Sequence, residues 1–231
     1  MTPEIGRWEH DDAQLAAVRR GGGPSVRVYR VDGPVVVLGS GSDPAVEVRS
    51  GICLADGVPI VRRRGGGCAV VLDPGNVVVS IALPVAGLGG IHSHFRWISA
   101  WIAAELEELG IRGVRREGVS DLALDGRKIG GSCIHRAKDL LHYGLTLLAD
   151  ADVALIERYL PHPPREPDYR AGRPHRAFVR PLAEHPGGWT AIRLEEDLRA
   201  RLTPARLLAF PRPPDRMPPR GKGGLSPAPR P

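Results

Sequence analysis

Two stretches of this chain gather residue types that handle negative charge. The first is Arg62-Arg63-Arg64-Gly65-Gly66-Gly67-Cys68-Ala69-Val70-Val71. Three consecutive glycines let a backbone come close to a ligand and turn N–H groups toward it. Three adjacent guanidinium forks match a carboxylate or a phosphate. β-Branched runs flank the loop at Val58–Arg62 and Ala69–Leu72, so it reads as a connection between strands. An anionic ligand lying on such a loop is one reading, and a solvated surface turn is the other. No Gly-Lys-Ser/Thr follows the glycines and no helix signal opens there, so neither the P-loop nor the dinucleotide fingerprint fits.

The second stretch is Asp121-Leu122-Ala123-Leu124-Asp125-Gly126-Arg127-Lys128-Ile129-Gly130-Gly131-Ser132-Cys133. A hairpin turning at Asp125-Gly126 would place Asp121 and Lys128 on paired strands, facing each other. A lysine beside two glycines reaches a ligand with little obstruction. Its ammonium would stabilise a carboxylate or phosphate as bond order shifts. The chain has 32 basic residues, but only Lys128, Lys138 and Lys222 are lysines. Where arginine is the default cation, a lysine in this setting suggests a need for a compact point charge.

Three cysteines, Cys53, Cys68 and Cys133, are odd in number and widely spaced, so no disulfide framework or four-cysteine zinc site follows. Cys133 lies five residues after Lys128, whose charge could lower a nearby thiol pKa. It is a candidate nucleophile or else a small apolar strand residue, and Cys68 is open to a similar choice. His142 is a candidate base or a structural histidine. His92 and His94 read as helix-entry residues, and no metal constellation is visible.

The elements that must position these groups are legible in part. Val26–Val31 and Pro34–Leu38 read as strands of a hairpin turning at Asp32-Gly33. Ala69–Leu72 and Val77–Leu83 read as strands joined by the turn Asp73-Pro74-Gly75-Asn76. Phe95, Ile98, Trp101, Ile102, Leu106 and Leu109 give the 3–4 spacing of a helix over Ser93–Leu109, ended by Gly110. Leu122–Leu124, Lys128–Ile134 and Leu140–Leu148 are further strands. Asp152 would cap a short helix to Leu160, Pro161–Pro174 is loop, and Leu194–Leu202 is a charged amphipathic helix. The fold class is therefore α/β (α+β), with a mixed, largely antiparallel sheet and flanking helices.

The 231 residues suffice for one domain, read here as 1–210, and 42% hydrophobic with 25% charged residues fits a globular protein. The formal charge of +6 raises the question of nucleic acid. Its position argues otherwise. Residues 211–231 hold five basic residues against Asp215 alone, a net of +4, and eight prolines. That stretch reads as a disordered Pro/Arg-rich tail. Met1–Asp12 is polar and acidic, unlike a secretory signal, and Asn76–Ile91 is too broken by Pro84 and glycines to span a membrane. A cytoplasmic protein is expected.

Taken together and in this order, the motifs resemble the superfamily of lipoate–protein ligases, octanoyltransferases and biotin–protein ligases. Arg62 to Asn76 is similar, without a gap, to the ligase signature RRxSGGGAVxHDxGN. Ser120 to Ser132 resembles the segment ND-L-x-V-x-G-x-K-I-x-G-S. His142-Tyr143-Gly144 with Leu145–Leu148 resembles the HHG-T-L-L strand, and Val35–Gly39 the earlier TVVIG strand. The resemblance covers about half the chain, from Val35 to Asp152.

It implies the catalytic-domain fold of biotin and lipoate ligases. It also implies ATP- and Mg²⁺-dependent activation of lipoate or octanoate to acyl-AMP. The acyl group would then pass to a lysine of a lipoyl carrier domain, of the 2-oxoacid dehydrogenase E2 or glycine cleavage H protein type. Lys128 would be the essential lysine at the carboxyl and α-phosphate. Arg63 and Gly66, Gly67, Cys68, Ala69, Val70 and Val71 would hold the adenylate. Asp121 would stand near metal or phosphate, and His142 would contribute to substrate binding. A separate accessory subunit is one option for the missing C-terminal domain of large bacterial ligases.

The sequence departs from the signature at Gly65, Cys68, Leu72 and Ser120. Both usual cysteine positions of the transferase branches are empty, since Arg115–Gly118 and Leu141 occupy them. Cys133 or Cys68 could substitute, which keeps open a cysteine-dependent octanoyl- or lipoyltransferase. A non-catalytic lipoyl- or adenylate-binding subunit is a third reading.

Overall fold

The computed structural model describes residues 4–212. The tail expected over 211–231 lies outside them, apart from Pro211 and Arg212. In chain order the elements are β1 (Ile5–Arg7), α1 (Asp12–Arg19), β2 (Ser25–Tyr29), β3 (Val35–Leu38), α2 (Pro44–Glu47) and α3 (Ser50–Ala55). Next come β4 (Ile60–Arg62), β5 (Val70–Leu72), β6 (Asn76–Pro84), α4 (Ile91–Glu108) and β7 (Arg115–Glu117). They are followed by β8 (Asp121–Leu124), β9 (Arg127–Ala137), β10 (Leu140–Leu148), α5 (Val153–Tyr159), α6 (His175–Phe178), α7 (Ala191–Arg201) and α8 (Pro204–Ala209). None of the described helices is long and apolar enough to cross a membrane.

The strands form two sheets. One is antiparallel throughout, in the order β2-β6-β10-β9-β8-β7. The other, β1-β4-β3-β5, pairs β4 in parallel with both β1 and β3, and β5 antiparallel to β3. The architecture is the expected mixed α/β one, divided between two sheets.

β6 shows why both faces of the larger sheet are covered. Its residues from Asn76 to Leu83 are all buried. Val77, Val79, Ile81 and Leu83 join the cluster with Phe95, Ile98, Trp101, Ile102 and Leu106 of α4. Alternation sends Val78, Ser80 and Ala82 to the opposite face. Each large side chain buried in this way contributes about 1.5–3 kcal/mol. Gly110 follows α4 with φ +92°, the left-handed conformation that suits glycine at a helix end.

Two expectations change. Asp32-Gly33 does not close a hairpin, because β2 and β3 belong to different sheets. Periodicity identified each strand, but the partner of β2 is β6, about fifty residues away in sequence. Asp73–Asn76 also carries the chain from one sheet to the other, from β5 to β6. It is tightly braced: Gly75 N donates to Asp73 Oδ1 (2.7 Å), Asp152 N to Oδ2 (2.8 Å), and Asp73 N to Asn76 Oδ1 (2.8 Å). A Cβ on Gly75 would meet the backbone of Ala151 at 2.6 Å, so only glycine fits this crossing. Asp152 caps α5 as expected, its side chain accepting from Ala154 N.

Candidate active site

The two sheets enclose a cavity of about 550 Å³. Its floor is the face of the large sheet turned away from α4, with Val78 and Ser80 from β6, His142, Gly144, Thr146 and Leu148 from β10, and Gly131 and Cys133 from β9. Its roof is Val37 and Val70–Leu72 from the small sheet, with the glycine loop. Of the residues expected to hold a ligand, Arg63, Gly67, Cys68, Ala69, Val70, Val71, Asp121, Lys128 and His142 line it, as does Cys133. Gly66 stands outside the lining, and its carbonyl serves the loop instead.

Lys128 and Asp121 form an ion pair, Nζ to Oδ1 at 2.8 Å. They do not face each other in the ladder. Asp121 is opposite Gly131, Lys128 is opposite Ala123, and a bulge falls between Leu122 and Ala123. The contact forms because Gly131 has no side chain. A Cβ there would meet Lys128 Nζ at 2.8 Å and Cε at 2.9 Å. The lysine therefore folds back over Gly131 and reaches Asp121 from two residues away. Asp121 Oδ2 accepts a second bond, from Tyr169 OH at 2.9 Å. Burial, and then the Asp121 charge, push the phenol pKa up, so Tyr169 stays a donor.

The glycine loop is braced from within. Arg63 donates to the carbonyls of Val37 (3.0 Å), Gly66 (2.7 Å) and Cys68 (3.0 Å). This guanidinium, expected to grip the ligand, holds the loop in shape. Arg64 is paired with Asp12 at 2.9 Å. Glu47 is buried beneath the loop, and its Oε2 accepts from Ser42 Oγ (2.9 Å) and Ala69 N (2.6 Å). Two departures from the ligase signature acquire physical reasons. A Cβ on Gly65 would stand 2.5 Å from Cys133 Sγ, so with Cys133 beneath it this position cannot carry serine. Leu72 is buried with Tyr29, Val35, Val37 and Val78, an apolar cluster that favours leucine over a histidine.

At the other end of the floor sits His142, 6% exposed. Gly131 pairs with Thr146, and His142 lies four residues further along β10, about 13 Å from that level at strand rise. Ser80 Oγ donates to Gln14 Oε1 (2.8 Å), so its contact with His142 Nε2 (3.0 Å) assigns the proton to Nε2. His142 Nδ1 is then the bare nitrogen, buried without a partner. Asp11, 3.7 Å from Nε2, is itself held by Tyr29 OH and Trp8 Nε1, each at 3.0 Å.

Burial pushes the His142 pKa below its ordinary value of 6.5, and His135 and His175 are shifted the same way by the same cause. Below pH 6.5 the unfolded chain takes up protons that these folded histidines refuse. Stability should therefore fall as pH drops through 6.5, by up to about 1.4 kcal/mol per unit for the buried His142 and by less for the partly exposed His135 and His175. Urea midpoints at pH 7.5 and 5.5 should show that loss, and His142→Gln should lessen it. An equal loss in the variant would mean that His142 is not buried neutral.

Asp11, Gln14, Ser80 and Tyr169 were not legible as site residues. The first two lie in and beside α1, which is only eight residues long and has just Leu15 and Val18 as a periodic signal. Tyr169 lies in the proline-rich connection, where no spacing rule points to a partner.

Comparison with known proteins agrees with this fold. Residues 6–201 match the model of the lipoyl protein ligase A/B catalytic domain. A lipoate–protein ligase of Streptococcus pyogenes is 28% identical over 152 residues, which is 66% of this chain and 44% of that protein. Lipoate–protein ligase 2 of Staphylococcus aureus is 28% identical over 127 residues, 55% of this chain and 37% of that protein. The chain thus spans less than half the length of these relatives. Among solved structures, the bipartite lipoate protein ligase of Thermoplasma acidophilum, studied with its E2 lipoyl domain, superposes with a TM-score of 0.65 at 23% identity. The match covers 78% of this chain and 76% of that one. A lipoate-protein ligase A bound with ATP gives 0.62 at 19% identity, over 90% of this chain and 81% of that one. The two-sheet fold is shared with both. The chain belongs to the lipoyl protein ligase A/B catalytic-domain family.

Proposed function

We propose that this chain activates lipoate or octanoate with ATP and passes the acyl group to a lysine of a lipoyl carrier domain, in the cytoplasm. The observation that carries this reading is the placement of Lys128 at one end of a largely apolar cavity whose far end is His142. A C8 chain has seven carbon–carbon bonds, about 8–9 Å when extended at roughly 1.2 Å per bond. With about 3 Å for contact between its carboxylate and the ammonium, it spans about 12 Å. That matches the run along β10 from the Lys128 level to His142. The walls on the way are Val37, Leu72, Val78 and Gly144, suited to methylenes.

In this reading the Lys128 ammonium draws the acyl carboxylate and the α-phosphate together, reducing their repulsion. It then stabilises the oxyanion that develops as the carrier amine attacks. The N–H groups of the braced loop add fixed dipoles. Asp121 holds the ammonium in place. Mg²⁺ would travel with the triphosphate, with Asp121 the carboxylate beside Lys128. The relatives named as ligases and the neighbour bound with ATP support this assignment. The bipartite neighbour supports a carrier domain as acceptor and a separate accessory subunit as an option.

Lipoate-dependent exchange of pyrophosphate into ATP by the purified chain with Mg²⁺ tests the activation step. Exchange is the expected result, and its absence would remove acyl-adenylate formation by this chain alone. One observation favours a second reading. Cys133 faces the acyl path, below Gly65 and beside Gly144. An acyl adduct on Cys133 after mixing with an octanoylated carrier, without ATP, would favour cysteine-dependent transfer.

A further inference from the structure

Among the described residues Arg170 is the one buried arginine, with 4% of its surface exposed. It lines the cavity that holds Lys128. Its partners serve only part of the guanidinium. Nε donates to the Arg173 carbonyl at 2.9 Å and lies 3.3 Å from Glu166 Oε2. The group also stands 4.8 Å from the centroid of the Phe178 ring. Nη2 is buried and has no hydrogen-bond partner. An unsatisfied charged donor in a buried position is costly, and in a cavity wall a ligand can complete it.

The surroundings point to the kind of ligand. The neighbouring residue, Tyr169, bonds the same Asp121 that pairs with Lys128, so Arg170 is carried next to the lysine site. Of the other arginines that line the cavity, Arg63 spends both Nη atoms on backbone carbonyls, Arg64 pairs with Asp12, and Arg165 is exposed. A guanidinium with a free N–H in the same cavity wall as an ammonium is suited to take a phosphate oxygen.

We propose that Arg170 is a phosphate-binding residue of the cavity, its Nη2 donating to a phosphate oxygen of the nucleotide half of the acyl-adenylate. This rests on the ligase reading, and its test separates the two. Arg170→Met keeps an aliphatic stem over Phe178 and removes the charge, and Arg170→Lys restores charge without the fork. Calorimetric titration of the full chain would use three probes: lipoate, lipoyl-AMP and inorganic pyrophosphate.

The expected result is that Arg170→Met binds lipoate like the unsubstituted chain, but lipoyl-AMP about 10–100-fold more weakly, with Arg170→Lys in between. A purely structural role would weaken lipoate and lipoyl-AMP alike, and that outcome overturns the proposal. So does undiminished binding of lipoyl-AMP and pyrophosphate by Arg170→Met, which leaves the ligase reading standing. Should the unsubstituted chain bind pyrophosphate but neither acyl probe, and Arg170→Met lose pyrophosphate, the phosphate site stands and the ligase reading fails.

Discussion

Lys128→Met should lower lipoate-dependent ATP–pyrophosphate exchange by about 10³-fold, the scale of losing a principal charge-stabilising donor at a reacting centre. The substitution keeps most of the stem that lies over Gly131 and removes only the ammonium. It also leaves Asp121 with Tyr169 as its remaining donor. Because the lysine side chain is 25% exposed and Asp121 9%, the pair is only partly buried. The loss of stability should be about 1–3 kcal/mol, below that for a fully buried pair. Exchange is therefore to be measured well below the melting temperature, beside a circular dichroism spectrum. Lys128→Arg separates charge from shape. It keeps the ion pair and the stability, but its planar fork cannot occupy the space of a compact ammonium, so activity should remain low. Exchange within tenfold of the unsubstituted chain in Lys128→Met would show that Lys128 does not act on the reacting groups, and the same result in Lys128→Arg alone would show that charge suffices without the compact shape.

The adjacent glycines should respond to alanine in opposite ways. A Cβ on Gly131 would meet the mobile end of Lys128, at 2.8 Å from Nζ. The lysine can swing away, so Gly131→Ala should fold normally and lose its ammonium position. A displacement of about 1 Å at a positioned group costs about 10²-fold in rate. A Cβ on Gly130 would instead meet the Thr146 carbonyl at 2.8 Å and Leu147 Cδ2 at 2.9 Å, on the core side. That clash involves backbone and packed side chain. Gly130→Ala should cost about 1–3 kcal/mol, as overpacking does. Urea unfolding and exchange kinetics on both variants would test the contrast. The idea fails if Gly131→Ala is fully active, or if both variants lose stability equally.

The sequence carried the strand and helix identities wherever a pattern repeats locally. The alternation in β10, the 3–4 spacing of α4, and the caps Gly110 and Asp152 depend on neighbours within a turn or a pleat. It marked the glycine loop and Lys128 as candidates, because glycine runs and a lysine in an arginine-rich chain are departures visible without coordinates. Asp121 was legible for the same reason, as an acid near a turn beside the lysine. What could not be read was pairing between distant segments. β2 sits next to β6 instead of β3, and β1 pairs in parallel with β4, more than fifty residues on. No local spacing encodes such a choice.

The site followed the same division. By itself, the sequence singled out the candidate groups: the cations and N–H groups of the glycine loop and Lys128 for an anion, and Asp121 as the acid near the lysine, all by residue type and short spacing. The tertiary structure decided how they are used. A bulge and the absence of a side chain at Gly131 turned two unpaired ladder positions into an ion pair. Arg63 became a brace because the carbonyls of Val37, Gly66 and Cys68 converge on it from different parts of the fold. Tyr169, Arg170, Ser80, Gln14 and Asp11 joined the site only because two sheets and a distant connection close around one cavity. The physical reason is range: conformational preference acts over a few residues, whereas burial and hydrogen-bond satisfaction act wherever the folded chain brings groups together.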